Sequence, residues 1–122
     1  MMTPSFLRVL CWLALGLFLG YNGYEIIVNT PDGGFAAAFT TFLQNFWGRV
    51  VFFDLFVGLG IFAIWILFRE KSLPRVLGWI SLLLVLGNGG VLIYLLAALR
   101  PIHSSADWPR FFLGARHSEN HP

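Results

Sequence analysis

The sequence predicts an all-α integral membrane protein with three transmembrane helices and an interfacial amphipathic helix between the first two. Composition is the first observation. Hydrophobic residues make up 57% of the 122 residues and charged residues only 11%, less than half of the roughly 25% that is typical of a soluble domain. A globule of this size has too much surface to hide so many apolar side chains from water. The second observation is the presence of three long apolar runs, and the third is an amphipathic segment between the first two.

Charge and cysteine content exclude several function classes. Eight Lys and Arg residues against six Asp and Glu residues give a net charge of +2, which is too small for a surface that tracks phosphates along a nucleic acid. The single cysteine, Cys11, cannot close an intrachain disulfide. We therefore expect neither a soluble enzyme, nor a nucleic-acid binder, nor a disulfide scaffold.

The three apolar runs cover residues 9–28, 50–68 and 76–99 of a single membrane domain, residues 1–122. Each is close to the roughly 20 residues that cross about 30 Å of hydrocarbon. The first run is interpreted as a retained span, because the residues after Leu19 do not form the small-residue cleavage site of a signal peptide. The first two runs carry one charge each, Glu25 and Asp54, and the third carries none.

Tryptophan and arginine positions predict the membrane faces. With alternating spans, Trp12, Trp65 and Trp79 fall at one face, whereas Trp47 and Trp108 fall at the other; tryptophan favours the membrane interface. Basic residues are evenly divided between the two faces, but the short loop at residues 69–75 carries three of them. The positive-inside rule then predicts a cytoplasmic N-terminus, with the tail at residues 101–122 on the opposite side.

The connection between the first two spans is itself helical in pattern. Apolar residues recur there with helical periodicity over about residues 34–47. These residues are Phe35, Phe39, Phe42, Phe46 and Trp47. Two interpretations stay open: a helix at the membrane interface or against a partner, and a short helix folded back on its own bundle. A second short interfacial piece is expected at residues 107–114.

Polar residues inside the apolar runs form the candidate site, because charges within a span are costly and are functional candidates. Antiparallel pairing of the second and third spans places Asp54 level with Gly90 and close to the level of Asn88. The predicted intramembrane cluster comprises Asn22, Glu25, Asp54, Asn88 and Tyr94. It is either a proton, ion or polar-ligand site, or an interhelical hydrogen-bond clasp that fixes packing.

Small residues in the spans predict close packing against other helices. These residues are Gly16, Gly20, Gly58, Gly87 and Gly90. No span contains a histidine, so we expect no haem held within the bilayer by this chain. No cofactor or metal is predicted, and His117 and His121 are interpreted as solvated. Contact of the span phenylalanines with a bound lipid, quinone or carotenoid is the alternative to simple core packing.

From Trp47 to Leu99 the chain resembles the membrane family called domain of unknown function 1475. The residues that carry the resemblance are Trp47 and Asp54, Trp65-Ile66, Arg69-Glu70, Trp79, Leu86-Gly87 and Tyr94-Leu95. The resemblance implies a compact multi-span bundle in which Asp54 and Glu70 are the residues of interest. It implies no activity.

Two functions are expected from these observations. The first is a small non-catalytic accessory or assembly subunit that packs against a larger membrane complex, one that could convert energy. The alternative is a homo-oligomer that handles an ion, a proton or a small ligand through Asp54 and Glu25. An enzyme is not expected, because the sequence contains no evident nucleophile–base pair or metal-ligand set. The expected partners are membrane lipids and other membrane subunits, and no nucleic acid.

Overall fold

The computed structural model describes residues 3–114, and every regular element in that part of the chain is helical. The helices are α1 (Pro4–Asn29), α2 (Gly34–Gln44), α3 (Phe46–Arg69), α4 (Leu73–Leu86), α5 (Asn88–Leu99) and α6 (Trp108–Leu113). A 3₁₀ turn, Ser105–Asp107, leads into α6. The predicted all-helical class is therefore confirmed.

Helices α1 and α3 are long and apolar enough to cross a membrane, and they coincide with the first two predicted spans. Their first turns are capped by side chains: the Thr3 hydroxyl accepts from the Phe6 N–H, and the Asn45 side chain accepts from the Trp47 N–H. Such caps satisfy backbone donors that the helix leaves without a partner. Only 17% of the apolar window of α1 and 11% of that of α3 is buried within the molecule. Most of their apolar surface therefore faces outward.

The third apolar run is not one helix, so the structure does not confirm a single third span over residues 76–99. The chain turns back at Gly87, whose φ of 58° and ψ of −124° end α4 and begin α5. The rings of Trp79 and Tyr94 lie 4.9 Å apart, whereas 15 residues of continuous helix would separate them by about 22 Å. With 14 and 12 residues, α4 and α5 are about 21 and 18 Å long, too short to cross about 30 Å of hydrocarbon.

The helical hairpin α4–α5 fills the space between α1 and α3. Its two helices approach closely at Gly90, where an added Cβ would lie 2.8 Å from the Leu82 carbonyl oxygen. Next to it, Gly89 faces the ring of Phe18 on α1. The buried core runs along these contacts and comprises Cys11, Leu59, Ile66, Leu83, Tyr94, Ala98, Leu99, Ile102 and Phe111. The predicted packing role of Gly90 thus exists, but its neighbour is α4 rather than the second span.

Helix α2 folds back on α3. The ring of Phe39 lies 5.6 Å from that of Phe52, and a Cβ on Gly48 would lie 1.9 Å from the Phe42 carbonyl oxygen. The Arg49 guanidinium donates to the carbonyls of Leu43 and Gln44 at the end of α2. This packing favours the second of the two interpretations of the segment.

The boundary of the predicted interfacial helix needs correction. The expected helix over residues 34–47 ends at Gln44, because Asn45 caps the start of α3. Phe46 and Trp47 therefore belong to α3. Phe35 and Phe42 stay on α2 and are exposed.

The described part of the C-terminal tail returns to the end of the bundle where α1 begins. The Arg8 guanidinium donates to the Leu99 carbonyl at 2.6 Å and also to the Ile102 carbonyl. Trp108 packs against Phe111 at this same end, not at the opposite face as expected. The opposite-side placement of the tail is therefore not what residues 101–114 show. His117 and His121 lie outside the described residues.

Candidate functional site

The predicted polar cluster is brought together only in part. Asp54 and Asn88 line one open cavity of about 320 Å³ beside Gly58. Asn22 donates to the Phe18 carbonyl, and Glu25 accepts from Asn29. Among residues 3–114, no hydrogen bond joins either α1 residue to Asp54 or Asn88.

Tyr94 is separated from this cluster by the turn at Gly87. The sequence analysis included Tyr94 in the cluster, on the assumption that the third run continues in one direction. Because α5 runs back along α4, Tyr94 lies instead near the junction between α3 and α4. There it belongs to a second polar group that the sequence did not predict.

This second group is a closed hydrogen-bond network of three side chains. The Arg69 guanidinium donates to Glu70 at 3.2 Å and to the Tyr94 hydroxyl at 3.1 Å. The Tyr94 hydroxyl donates to the same Glu70 carboxylate oxygen at 3.0 Å. The side chains of Arg69 and Glu70 are only 11% and 13% exposed, so each charge depends on the other for compensation.

Aromatic rings enclose the Tyr94 end of the network. Phe62, Trp65 and Trp79 surround the Tyr94 ring with centroids 5.7, 5.7 and 4.9 Å away. All three contacts are edge-to-face, with planes at 83–90°, an arrangement that aromatic quadrupoles favour. Tyr94 itself is 1% exposed. The enclosure excludes water and fixes the hydroxyl on its two charged partners.

Helix α6 lies against this enclosure and is held there by side chains of α3. The Arg69 Nε donates to the Phe111 carbonyl at 2.7 Å, and the Trp65 indole N–H donates to the Phe112 carbonyl at 3.1 Å. Gly114, with a φ of 60°, approaches the Arg69 backbone so closely that a Cβ would lie 2.6 Å from its carbonyl oxygen. Arg69 thus connects the ion pair, the buried tyrosine and the C-terminal helix.

The turn before α6 is fixed by Asp107. Its carboxylate accepts from the backbone N–H groups of His103 and Ser104, both at 3.1 Å. These two bonds to the charged form hold the pKa of Asp107 below its ordinary value. The turn is therefore in place at neutral pH.

A basic cleft opens next to the network. It has a volume of about 510 Å³ and is lined by Arg69, Glu70, Arg75, Trp79, Tyr94, Ala97, Ala98 and Arg100. Three arginines and one glutamate leave a surplus of two positive charges at its walls. Such a cleft attracts anions.

The sequence contained only partial signals for this site. The sequence placed Arg69 and Glu70 in the short basic loop at residues 69–75, and the family resemblance singled out Glu70. The structure places Glu70 on Arg69 and adds Tyr94. The contribution of Tyr94, 24 residues away from Glu70, depends on the hairpin and could not be read from spacing.

No group of three His, Cys, Asp or Glu side chains within residues 3–114 could hold a metal ion. The Tyr94 hydroxyl has both its hydrogen bonds inside the network. The feature of the site that stays accessible to a ligand is the positive charge of the cleft.

No known protein family matches the chain, and no curated protein or solved structure is detectably similar to it. The resemblance to domain of unknown function 1475 therefore stays a prediction without support from these comparisons.

Proposed function

We propose that this protein is a non-catalytic accessory or assembly subunit that packs against other helices within a membrane. The observation that carries the proposal is the exposed apolar surface of α1 and α3 beyond the tip of the hairpin. The hairpin reaches Phe18 on α1, and the α1 side chains that follow are exposed. These include Leu19, Tyr21, Tyr24, Ile26, Ile27 and Val28.

A membrane location accounts for the pattern of exposure. In water, this much exposed apolar surface would drive association. In a bilayer, α1 and α3 would span the hydrocarbon and α4–α5 would enter from one side and return to it. Turn backbone at membrane depth is tolerated where it is buried in protein or lines a water-filled cavity. Gly89 and Gly90 are buried, and the exposed Asn88 lines the cavity beside Asp54.

The distribution of charge favours one orientation. Six of the seven described Lys and Arg residues lie at the end of the bundle where α1 begins: Arg8, Arg69, Lys71, Arg75, Arg100 and Arg110. Of these seven described cations, only Arg49 lies at the other end, beside α2. By the positive-inside rule the basic end is cytoplasmic. Residues 99–114 would then share the compartment of the start of α1.

The docking face on α1 is a stripe of glycines. Gly16 and Gly23 lie about a third of a turn around α1 from the buried residues Cys11 and Leu15, and Gly20 lies nearly opposite them. A Cβ added at any of the three glycines would meet nothing within 4 Å. The spacing of Gly16 and Gly20 matches the small-xxx-small pattern through which helices approach one another in membranes.

The double substitution Gly16→Leu/Gly20→Leu is expected to release the chain from its assembly, because two leucines would hold a partner helix away from this face. The fold is expected to survive, since the positions are open. The measurement is migration on a native gel after extraction of native membranes in mild detergent, with mass spectrometry of the band.

Gly78→Leu is the matched control, because Gly78 is also helical and open but lies on α4. The proposal is supported if Gly78→Leu still migrates with the assembly and the double variant no longer does. A wild-type chain that migrates alone, or as a small homo-oligomer, contradicts it and favours a self-contained ion- or ligand-handling protein.

Asp54→Asn is expected to weaken association at most and to leave the activity of the assembly intact. Asp54 is exposed in the cavity beside Asn88, and a carboxylate facing a partner helix serves as a hydrogen-bond acceptor that asparagine can replace. The measurement compares the transport or redox rate of an assembly that contains Asp54→Asn with that of the wild-type assembly, at equal subunit content. An abolished rate in an intact assembly would mean that Asp54 takes part in chemistry.

A further inference from the structure

Two arginines of the basic cleft have no hydrogen-bond or ion-pair partner among residues 3–114. Arg69 is engaged by Glu70, Tyr94 and the Phe111 carbonyl. Within residues 3–114, the guanidinium groups of Arg75 and Arg100 make no hydrogen bond and no ion pair. Both line the cleft beside Trp79 and the Tyr94 ring. Their charges are therefore available to an anion.

An apolar groove adjoins the cleft. It has a volume of about 410 Å³ and lies between α1 and α5, lined by Arg8, Trp12, Leu15, Ile93, Leu96, Ala97 and Arg100. Ala97 and Arg100 line both the groove and the cleft. The positively charged cavity and the apolar one thus meet at Ala97 and Arg100 on α5.

We propose that this pair of cavities binds an anionic phospholipid, with its phosphate between Arg75 and Arg100 and an acyl chain in the groove of α1 and α5. Guanidinium groups bind phosphate oxygens through paired N–H donors, and basic pockets between membrane helices recognise anionic head groups. A free phosphate would use the cleft alone, whereas a phospholipid uses both cavities. The proposal shares with the proposed function only the location in a membrane.

Trp12 and Trp79 place the site at the membrane interface. Trp12 lines the groove and Trp79 the cleft. Tryptophan side chains favour the level of the lipid head groups. The phosphate of a lipid would lie at the same level as Arg75 and Arg100, and its chain would run along Leu15, Ile93 and Leu96 toward the bilayer centre.

The test is native mass spectrometry of the purified full chain in mild detergent, with phosphatidylglycerol and phosphatidylcholine of identical acyl chains as probes. The wild type is expected to retain phosphatidylglycerol selectively. Arg75→Gln/Arg100→Gln is expected to weaken that binding about 30-fold, since each arginine beside an anionic head group contributes a factor of about 5. Arg110→Gln is the control for each of the two single changes, because it removes one positive charge at the same end from α6, outside the cleft.

Three results would overturn the proposal. Equal retention of the two lipids would show that the chain does not select phosphatidylglycerol. An equal loss of phosphatidylglycerol binding in Arg110→Gln would show that overall charge, not the cleft, causes the loss. Complete displacement of the lipid by millimolar inorganic phosphate would assign the cleft to a free anion. If the double variant does not fold, the single variants Arg75→Gln and Arg100→Gln carry the same comparison, each with about a 5-fold loss expected.

The lipid-binding experiment and the native-gel experiment test the two proposals separately. A chain that comigrates with a larger complex but shows no lipid selectivity overturns the lipid site alone. A chain that migrates alone but binds phosphatidylglycerol selectively overturns the accessory role and leaves the lipid site in place.

Discussion

Replacement of Arg69 by alanine is expected to cost about 3 kcal/mol of unfolding free energy, because it leaves the largely buried Glu70 carboxylate without its countercharge. The same change removes the donor to the Phe111 carbonyl, so α6 is expected to detach from α3. Reversible denaturation in detergent, followed by tryptophan fluorescence, measures the first effect. Limited proteolysis near residues 104–108 measures the second.

Two comparison variants separate the network from general charge effects. Arg110→Ala removes an exposed arginine of α6 and is expected to change stability by less than about 0.5 kcal/mol. Arg69→Lys keeps the charge but lacks the forked donors that reach Glu70, Tyr94 and Phe111 together. Its unfolding free energy is therefore expected to lie between those of the wild type and Arg69→Ala. Equal stability of Arg69→Ala and Arg110→Ala would show that the network contributes nothing.

Replacement of Gly90 by alanine is expected to destabilise the protein by about 3 kcal/mol, the upper part of the range for forcing extra volume into a packed contact. An alanine Cβ would lie 2.8 Å from the Leu82 carbonyl oxygen and 3.0 Å from the Leu83 Cα. Both neighbours are backbone atoms, so the two helices of the hairpin must separate. The expected readouts are a lower unfolding free energy and a change in the environment of Trp79, which packs on Tyr94.

The adjacent glycine provides the control for this substitution. At Gly89 an added Cβ would lie 2.6 Å from the ring of Phe18, a side chain that can rotate away. Gly89→Ala is therefore expected to cost less than Gly90→Ala, although both sit in the same helix one residue apart. Equal losses would mean that the hairpin backbones are not in close contact.

Much of the helical architecture could be predicted from the sequence, because hydrophobic run length is a local property. The runs at residues 9–28 and 50–68 fall inside α1 and α3, which extend beyond them at both ends. The periodic segment between them is α2, apart from its last residues. The boundary at Asn45 was missed because the apolar periodicity continues past this residue. The periodicity does not show that the Asn45 side chain accepts from the Trp47 N–H and so begins α3.

The sequence analysis did not predict the α4–α5 hairpin, because the length of an apolar run does not show whether the run contains a turn. The sequence Gly87-Asn88-Gly89-Gly90 contains residues that mark turns in water-soluble proteins, yet the run around it is long enough for one span. Glycine alone tolerates the φ and ψ observed at residue 87. Once the turn is missed, Tyr94 is placed at the wrong end, and its network with Arg69 and Glu70 cannot be found.

The hydrogen bonds from Arg8 to the carbonyls of Leu99 and Ile102 have a consequence for biosynthesis. The bonded residues are 91 and 94 positions apart, so at about 5–20 residues per second α1 emerges from the ribosome roughly 5–20 s before α5 exists. Throughout that interval the face of Cys11 and Leu15 lacks its intramolecular partner. Nascent α1 is thus open to competing helices or chaperones until the segment that carries Leu99 and Ile102 has been synthesised.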